Sequence, residues 1–107
     1  MMTIYEALAE PMRRRILDLL RERPRLVGEL AELLEISQPS VSKHLRVLRE
    51  VGLVTVREAG QRRLYALDAR GLRPIHVWVG GFEDFWNQSF DRLDAYVKRL
   101  QRKERAG

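Results

Sequence analysis

Cysteine is absent from the 107-residue sequence. Its absence excludes disulfide bonds, thiolate metal ligands and thiol nucleophiles, and it suits a reducing compartment. The sequence also has no apolar run near the ~18 residues of a membrane span. Its N-terminus lacks the basic and then apolar layout of a signal peptide. We therefore expect a cytoplasmic protein with no membrane partner.

The side chains that many enzymes use for acid-base chemistry are scarce as well. The two histidines, His44 and His76, are well separated in the sequence. No glycine-rich loop is placed to hold a phosphate, and no pair of carboxylates accompanies a candidate base. These absences argue against an enzyme and against a bound cofactor.

Length and composition indicate one globular domain over residues 1–107. Hydrophobic residues make up 45% of the sequence and charged residues 33%, which are ordinary values for folded proteins. A domain of this size buries only ~60–65% of the surface of its unfolded chain. Any apolar face left over is therefore expected to cover a partner subunit.

Positive charge is concentrated in the middle of the sequence. The net charge is +5, and residues 37–67 hold six basic and two acidic side chains. A central segment with most of the excess charge, rather than a basic tail, suggests a structured surface for a polyanion. The alternative is a charged face that contacts only solvent.

Capping residues and prolines predict the first three helices. Thr3 and Glu6 have the spacing of a capping box, in which each side chain satisfies a backbone N–H at a helix start. Pro11 suits the first turn of a second helix, which Pro24 ends. Leucines at positions 26, 30, 33 and 34 then follow the i, i+4, i+7, i+8 spacing of a third helix.

A fourth helix over residues 37–51 follows after a very short turn. Only Ile36-Ser37-Gln38 separates it from the third helix. Ser37 is a good N-cap, Pro39 fits the first turn, and Gly52 closes the helix.

A β-hairpin over residues 53–67 comes next. Leu53–Glu58 and Arg62–Leu67 are short β-rich runs on either side of Ala59-Gly60-Gln61, a turn in which glycine supplies a positive φ. Four helices, a tight turn and a hairpin indicate a winged helix-turn-helix, which is mainly α with a β-hairpin wing.

The C-terminal third is predicted to be helical over about residues 72–102. Gly80-Gly81 interrupts the pattern, and a long helix runs from Phe82 to about Gln101. We expect the polar tail from Arg102 to fray.

The fourth helix has the residue distribution of a DNA recognition helix. Val41, Leu45 and Leu48 fall within roughly 60° of each other on a helical wheel and point towards the core. The opposite side is polar and basic. A helix that enters the major groove needs short hydrogen-bonding side chains near its N-terminus, with Lys and Arg placed for phosphates. The alternative is a surface helix with a serine-rich cap.

Individual side chains of this helix suit particular contacts. Gln38 can read adenine, and Lys43 can contact a guanine or a phosphate. Ser40 and Ser42 can bond to either strand. His44 flanks the apolar line, where we expect a hydrogen bond to a neighbouring helix or a phosphate contact rather than metal ligation. The candidate DNA-binding residues of the helix are Ser37, Gln38, Pro39, Ser40, Ser42, Lys43, His44 and Arg46.

The tip of the hairpin is also basic. Gln61, Arg62 and Arg63 lie together at the turn, where a wing contacts backbone phosphates or inserts an arginine into the minor groove. The alternative is that the arginines only protect the strand edges from pairing.

The sequence resembles the ArsR/SmtB-type bacterial winged-helix regulators over residues from about 4 to 100. The resemblance lies in Ala7–Leu17 (ALAEPMRRRIL), Glu29–Ala31 (ELA), Ser37–Leu48 (SQPSVSKHLRVL), Gly52–Val54 (GLV) and Arg63–Leu67 (RLYAL). It implies a homodimeric transcription factor that binds double-stranded operator DNA and is usually a repressor.

The best-known members of that family release DNA when they bind metal. One of their sites uses a Cys-x-Cys pair just before the helix-turn-helix, where this sequence has Val27-Gly28-Glu29 and no thiol. The other needs an Asp-x-His and a His-x-x-Glu, and the C-terminal helices offer only His76. A mixed site of His76 with Asp84 or Asp91 is conceivable, although carboxylates scattered on a solvated face are the interpretation that we favour. We therefore expect a member without a metal site.

Aromatic residues are concentrated in the C-terminal third. Six of them fall between residues 78 and 96, and a helix over residues 82–101 is ~30 Å long, more than the ~26 Å diameter of such a domain. The stripe therefore predicts a dimer that pairs first and last helices, as the resemblance implies, although it could instead be intramolecular core or line a ligand pocket. The predicted dimer interface comprises Ile4, Tyr5, Leu8, Phe82, Phe85, Trp86, Phe90, Leu93 and Val97.

These observations favour a sequence-specific, homodimeric repressor that binds an inverted-repeat operator without metal control. The alternatives are a metal-gated repressor of the same family and a winged-helix module that docks a protein. Salt dependence separates DNA binding from protein docking, because contacts with phosphates release counterions. The sequence does not identify an operator or a small-molecule effector.

Overall fold

A computed structural model describes the backbone of residues 1–106 and the side chains of residues 1–104. The chain forms two compact units, one over Met1–Arg73 and one that begins at Pro74. The first unit contains the helix-turn-helix and the hairpin, and the second contains the last two helices.

The N-terminal unit begins with the two predicted helices, α1 (Ile4–Ala9) and α2 (Pro11–Glu22). The Thr3 hydroxyl accepts a hydrogen bond from the Glu6 backbone N–H at 3.1 Å and donates to the Glu6 carboxylate at 3.3 Å. Pro11 occupies the first turn of α2. Thr3 as the cap and the proline boundary are both confirmed. The second half of the predicted capping box is wrong, because the Glu6 carboxylate binds the Thr3 hydroxyl instead of a backbone N–H.

A two-residue strand, β1 (Arg25–Leu26), precedes α3 (Val27–Leu34) and was not predicted. The tight turn to α4 (Gln38–Glu50) contains Glu35, whose φ of 57° is left-handed. Two positions of the predicted apolar stripe of α3 are wrong, because Leu26 lies in β1 before the helix begins and Leu33 is 51% exposed.

The hairpin consists of β2 (Val54–Ala59) and β3 (Arg62–Leu67), and the antiparallel sheet has the order β1-β3-β2. Both hairpin strands were predicted, but β2 is displaced by one residue. Leu53 is buried in the core before the strand begins, and the turn contains only Gly60, with φ 69°, and Gln61. Ala59 is therefore paired, opposite Arg62.

The hydrophobic core of the N-terminal unit lies between the helices and the inner face of the sheet. Val41, Leu45 and Leu48 are each 1% exposed or less, which confirms the predicted buried line of α4. The buried cluster comprises Ile16, Leu17, Leu20, Leu30, Ala31, Leu34, Val41, Leu45, Leu48, Leu53, Val54 and Tyr65.

A 3₁₀ helix (Ala69–Leu72) follows the hairpin, and then come α5 (Arg73–Gly80) and α6 (Glu83–Ala106). The break at Gly80-Gly81 is confirmed. The expected fraying from Arg102 is wrong, because α6 is helical to Ala106. The tail from Arg102 consists mostly of Arg, Lys, Glu and Ala. These residues are strong helix formers, so the polarity of the tail reflects a solvated helix rather than a frayed one. No helix within residues 1–106 is long and apolar enough to cross a membrane.

Candidate nucleic-acid interface

Helix α4 begins with a hydroxyl cap. The Ser37 Oγ accepts a hydrogen bond from the Ser40 backbone N–H at 3.2 Å and donates to the Ser40 Oγ at 2.9 Å. Pro39 lies in the first turn, where its missing N–H leaves no helix hydrogen bond unmade. The Ser37 hydroxyl therefore stabilises the helix start, in addition to its predicted contact with DNA.

The exposed face of α4 carries most of the candidate base-reading side chains. Gln38, Ser42 and Arg46 are exposed and lie one helical turn apart, along one line. Lys43 is exposed beside them, whereas Ser40 is half-buried on the other flank. The structure thus brings amide, hydroxyl and cationic groups together on one exposed helix face.

Arg49 belongs to the same face and was not among the predicted site residues. It is exposed in the last turn of α4 and flanks, with Arg46 and Glu50, a surface groove of about 300 Å³. The helical spacing in the sequence could have identified Arg49, because this residue continues the line through Gln38, Ser42 and Arg46. Together with Lys43, these arginines give α4 three exposed cations.

The Gln38 side chain lies over the start of α3. Its Nε2 is 3.6 Å from the position that a Cβ on Gly28 would occupy. A glycine at this position of α3 therefore leaves room for the Gln38 carboxamide between the two helices of the helix-turn-helix.

His44 is half-buried at the edge of the core. Burial lowers the pKa of its imidazole, and the nearby Arg13 guanidinium lowers that pKa further, while Glu10 opposes the shift. The expected hydrogen bond to a neighbouring helix is wrong, because the ring makes none with the described residues. Burial and Arg13 thus disfavour the charged imidazolium at this edge of the core, and the phosphate contact of His44 stays a prediction.

The wing presents its two arginines on opposite faces. Arg62 pairs with Ala59 and Arg63 with Glu58 across the ladder, and successive residues of a strand point to opposite sides. Arg63 shares a face with the buried Tyr65. Gln61, Arg62 and Arg63 are all exposed at the tip, as predicted, but they do not form one patch on one face.

A cavity of about 340 Å³ separates the wing from the first turn of α3. It is lined by Arg62 and Arg63 on one side and by Leu26–Glu29 on the other. Arg62 and Arg63 therefore border the same open space, although they leave β3 on opposite faces.

The chain matches the model of the bacterial regulatory protein, arsR family, over residues 10–56, from the cap of α2 to the middle of β2. It is 42% identical over 85 residues to the HTH-type transcriptional regulator Rv2034 of Mycobacterium tuberculosis, covering 79% of this chain and 77% of that protein. It is 34% identical over 82 residues to the transcriptional repressor SdpR of Bacillus subtilis, covering 77% and 91%.

The chain belongs to the arsR family of bacterial regulatory proteins. Its relatives are transcriptional regulators rather than enzymes, and its fold is theirs. A solution structure of the homodimeric winged helix-turn-helix DNA-binding domain Mb0332 from Mycobacterium bovis matches with a TM-score of 0.60 at 30% identity, covering 74% of this chain and 73% of that one. The winged helix-turn-helix and the regulator function predicted from the sequence are therefore confirmed.

The C-terminal unit of this arsR-family protein has an uncovered apolar face. The predicted interface residues of α6 that are exposed include Phe85 and Phe90, each 68% exposed, and Trp86 at 47%. Trp78 and Phe82 stack edge to face with ring centroids 5.4 Å apart. Intramolecular core is thus excluded for the α6 stripe within its own unit.

The predicted interface residues of α1 are divided. Ile4 and Leu8 are half-buried and pack against the core of the N-terminal unit, whereas Tyr5 is 49% exposed. Only part of α1 therefore keeps apolar surface for another chain.

Proposed function

We propose that this arsR-family regulator is a homodimeric repressor that binds an inverted-repeat operator in the bacterial cytoplasm. The observation that carries the proposal is the exposed face of α4, where Gln38 and Ser42 share a line with the cations Arg46 and Arg49. Amide and hydroxyl groups discriminate between base edges, and cations bind phosphates. The relative SdpR is named a transcriptional repressor, which supports the direction of control.

The α6 face supports the dimer. Trp86, Phe90, Leu93, Val97 and Leu100 follow one another at spacings of four and three residues, the a/d repeat of paired helices. Each is 42% or more exposed. A helix of 24 residues is about 36 Å long, and a second copy of this helix is a partner of matching length and pattern. The Mycobacterium bovis relative is described as homodimeric.

A dimer presents two copies of α4, related by two-fold symmetry. Such a pair reads two half-sites in opposite orientations, with centres about one helical turn, or ~10 base pairs, apart. The proposed operator is therefore an inverted repeat with fixed spacing.

We propose further that no metal controls the protein. The sequence has no cysteine and only two histidines. Within the described residues, no three His, Asp or Glu side chains lie close enough to share a metal ion. This chemistry offers neither thiolates nor a His-carboxylate set for a transition metal.

The proposal is tested with two kinds of DNA duplex. One is selected from a random-sequence pool by the wild-type protein, and the other is a scrambled version of the selected sequence. Replacing Gln38, Ser42 or Lys43 singly with Ala should weaken binding to the selected duplex by ~1–3 kcal/mol and hardly change binding to the scrambled one. Arg62→Ala and Arg63→Ala should weaken both, and should reduce the salt slope by about 1 for each lost phosphate contact.

Arg15→Ala is the matched control, because Arg15 is exposed on α2 outside the proposed interface. It should leave the preference between the two duplexes unchanged. Equal affinity of the wild type for every duplex would contradict sequence-specific binding. An absence of binding even at low salt would favour a winged-helix module that docks a protein.

Metal titration tests the second part of the proposal. Micromolar zinc, nickel, cobalt or cadmium should leave the affinity for the selected duplex unchanged, because no predicted ligand set is complete. Release of DNA by one of these ions, abolished by His76→Ala, would overturn the metal-independent proposal and establish the metal-gated alternative.

A further inference from the structure

Arg25 is the only charged or polar residue that is buried among the described side chains, with 7% of its surface exposed. It lies in β1, where it pairs with Tyr65 of β3, while Leu26 pairs with Leu64. β1 is thus the only strand that joins the wing to the helix-turn-helix within the described residues, and it has just two residues.

The Arg25 guanidinium fastens this short strand to the end of α2. Its Nε donates to the Leu19 carbonyl at 3.1 Å, and its Nη2 donates to a Glu22 carboxylate oxygen at 2.6 Å. The Leu19 carbonyl belongs to the last turn of α2, where carbonyls have no partner within the helix. One buried side chain therefore satisfies a helix end and holds β1 in place.

Glu29 extends the same network to the start of α3. One of its carboxylate oxygens accepts from the Leu26 N–H at 3.2 Å, and the other accepts from Arg23 at 2.6 Å and lies 3.9 Å from an Arg25 Nη. The hydrogen bond from Arg23 and the one from Leu26 lower the pKa of this carboxyl. Two cations and two anions thus join α2, β1 and α3.

We propose that Arg25 is a positioning residue for DNA binding, which fixes the wing relative to α4 through β1. The inference rests on the proposed function, because it assumes that Arg62 and Arg63 contact DNA. Val54 and Tyr65 anchor the base of the hairpin in the core, but β1 adds only two residue pairs to the sheet, and the wing tip beyond them is exposed. The contacts of the Arg25 guanidinium run to α2 and α3 and none reaches the wing tip, so its role in DNA binding lies in orientation.

A double-mutant cycle tests the inference. Arg25→Met keeps an apolar stem in the site but removes every donor. In the wild-type background, the paired changes Arg62→Ala and Arg63→Ala should weaken binding to the selected duplex. In the Arg25→Met background, the fold-loss of affinity caused by the same two changes should be smaller by a factor of about three or more. The reason is that a wing that is already displaced makes fewer contacts with DNA that the changes could remove. The salt slope of Arg25→Met itself should fall towards that of the wing variant.

Arg70→Met is the control, since it removes a cation and an exposed ion pair with Asp68 at 3.0 Å but touches neither β1 nor α3. It should leave the cost of the wing changes unaltered. If Arg25→Met does not fold, Glu22→Gln takes its place in the cycle, and the measured quantity is again the loss of affinity caused by the wing changes. The Glu22 side chain is 65% exposed, so this change does not disturb the core.

The outcomes separate the two proposals. Suppose that Arg25→Met folds, that the wild type binds the selected duplex tightly, and that the wing changes weaken binding by the same factor in both backgrounds. This result would overturn the role of Arg25 and leave the proposed function intact. A wild type that binds no duplex would overturn the proposed function. If the inference is correct, the non-additive result should be accompanied by a second one. Without DNA, the backbone amides of Leu64 and Tyr65 should exchange faster in Arg25→Met than in the wild type.

Discussion

A protein that carries both Trp86→Asp and Phe90→Asp is expected to be a monomer that has lost its affinity for the operator. The two residues lie one turn apart on α6, and their side chains are 47% and 68% exposed in the single protomer. In the proposed dimer they would be covered, and a carboxylate in a covered apolar face is costly unless it finds a partner. Each α4 would then bind its half-site alone, with an affinity lower by ~10²–10⁴.

A variant with the same number of added carboxylates on the other face of α6 provides the control. Gln88→Asp with Ala95→Asp changes exposed positions opposite the apolar stripe, and it should remain a dimer that binds the operator. Light scattering gives the molar mass of each variant, and a gel-shift titration gives its affinity. A Trp86→Asp, Phe90→Asp protein that still scatters as a dimer rules out this interface.

Local signals in the sequence located most of the N-terminal unit. Thr3, Pro11, Ser37 and Gly60 each have chemistry that suits one place only, a cap, a first helical turn or a turn with positive φ. Their positions depend on the backbone within a few residues, and such signals are read directly from the sequence.

Strand β1 was missed because its cause is not local. Two residues have no periodicity to detect, and Arg25–Leu26 is a strand only because β3 pairs with it. A charged residue at a buried position also contradicts the usual pattern, and it is accounted for only once Leu19, Glu22 and Glu29 are known to surround Arg25. Tertiary contacts of this kind override local propensity.

The candidate site was predicted better on α4 than on the wing. The 3.6-residue period separated the buried side of α4 from the exposed one, although Arg49 on the same line was omitted. Arg62 and Arg63 were treated as one cluster, whereas the two-residue period of a strand puts them on opposite faces. The packing of Gln38 over Gly28 depends on the angle between two helices, which no pattern in the sequence contains.

The aromatic stripe shows why an apolar pattern does not identify its partner. The spacing from Phe82 to Leu100 requires a covered face, but the same spacing serves an intramolecular core and an interface between subunits. The structure leaves Phe85, Phe90 and Leu93 more than half exposed, so their own unit does not cover them.

Among the glycines that the structure describes, Gly71 is the one at which a change to Ala is expected to cause the largest loss of stability. A Cβ at position 71 would lie 2.3 Å from the Gly52 carbonyl oxygen and 3.0 Å from a Leu53 methyl group. Gly52 itself has φ 80°, and it links the end of α4 to β2. Because the obstacle is backbone, no side-chain rotation relieves it, and the 3₁₀ helix must separate from the end of the recognition helix.

The expected cost is about 1–3 kcal/mol or more, the range for overpacked sites, which corresponds to a fall in Tm of roughly 4 °C or more for a domain of this size. Gly80→Ala is the matched control, since a Cβ there meets nothing within 4 Å and lies in a helix, where Ala is favoured over Gly. Calorimetry of both variants should show a lower Tm for Gly71→Ala alone. A Gly71→Ala protein as stable as the wild type would mean that the end of α4 is not held by this backbone contact, and the recognition helix would then need another anchor beside the wing.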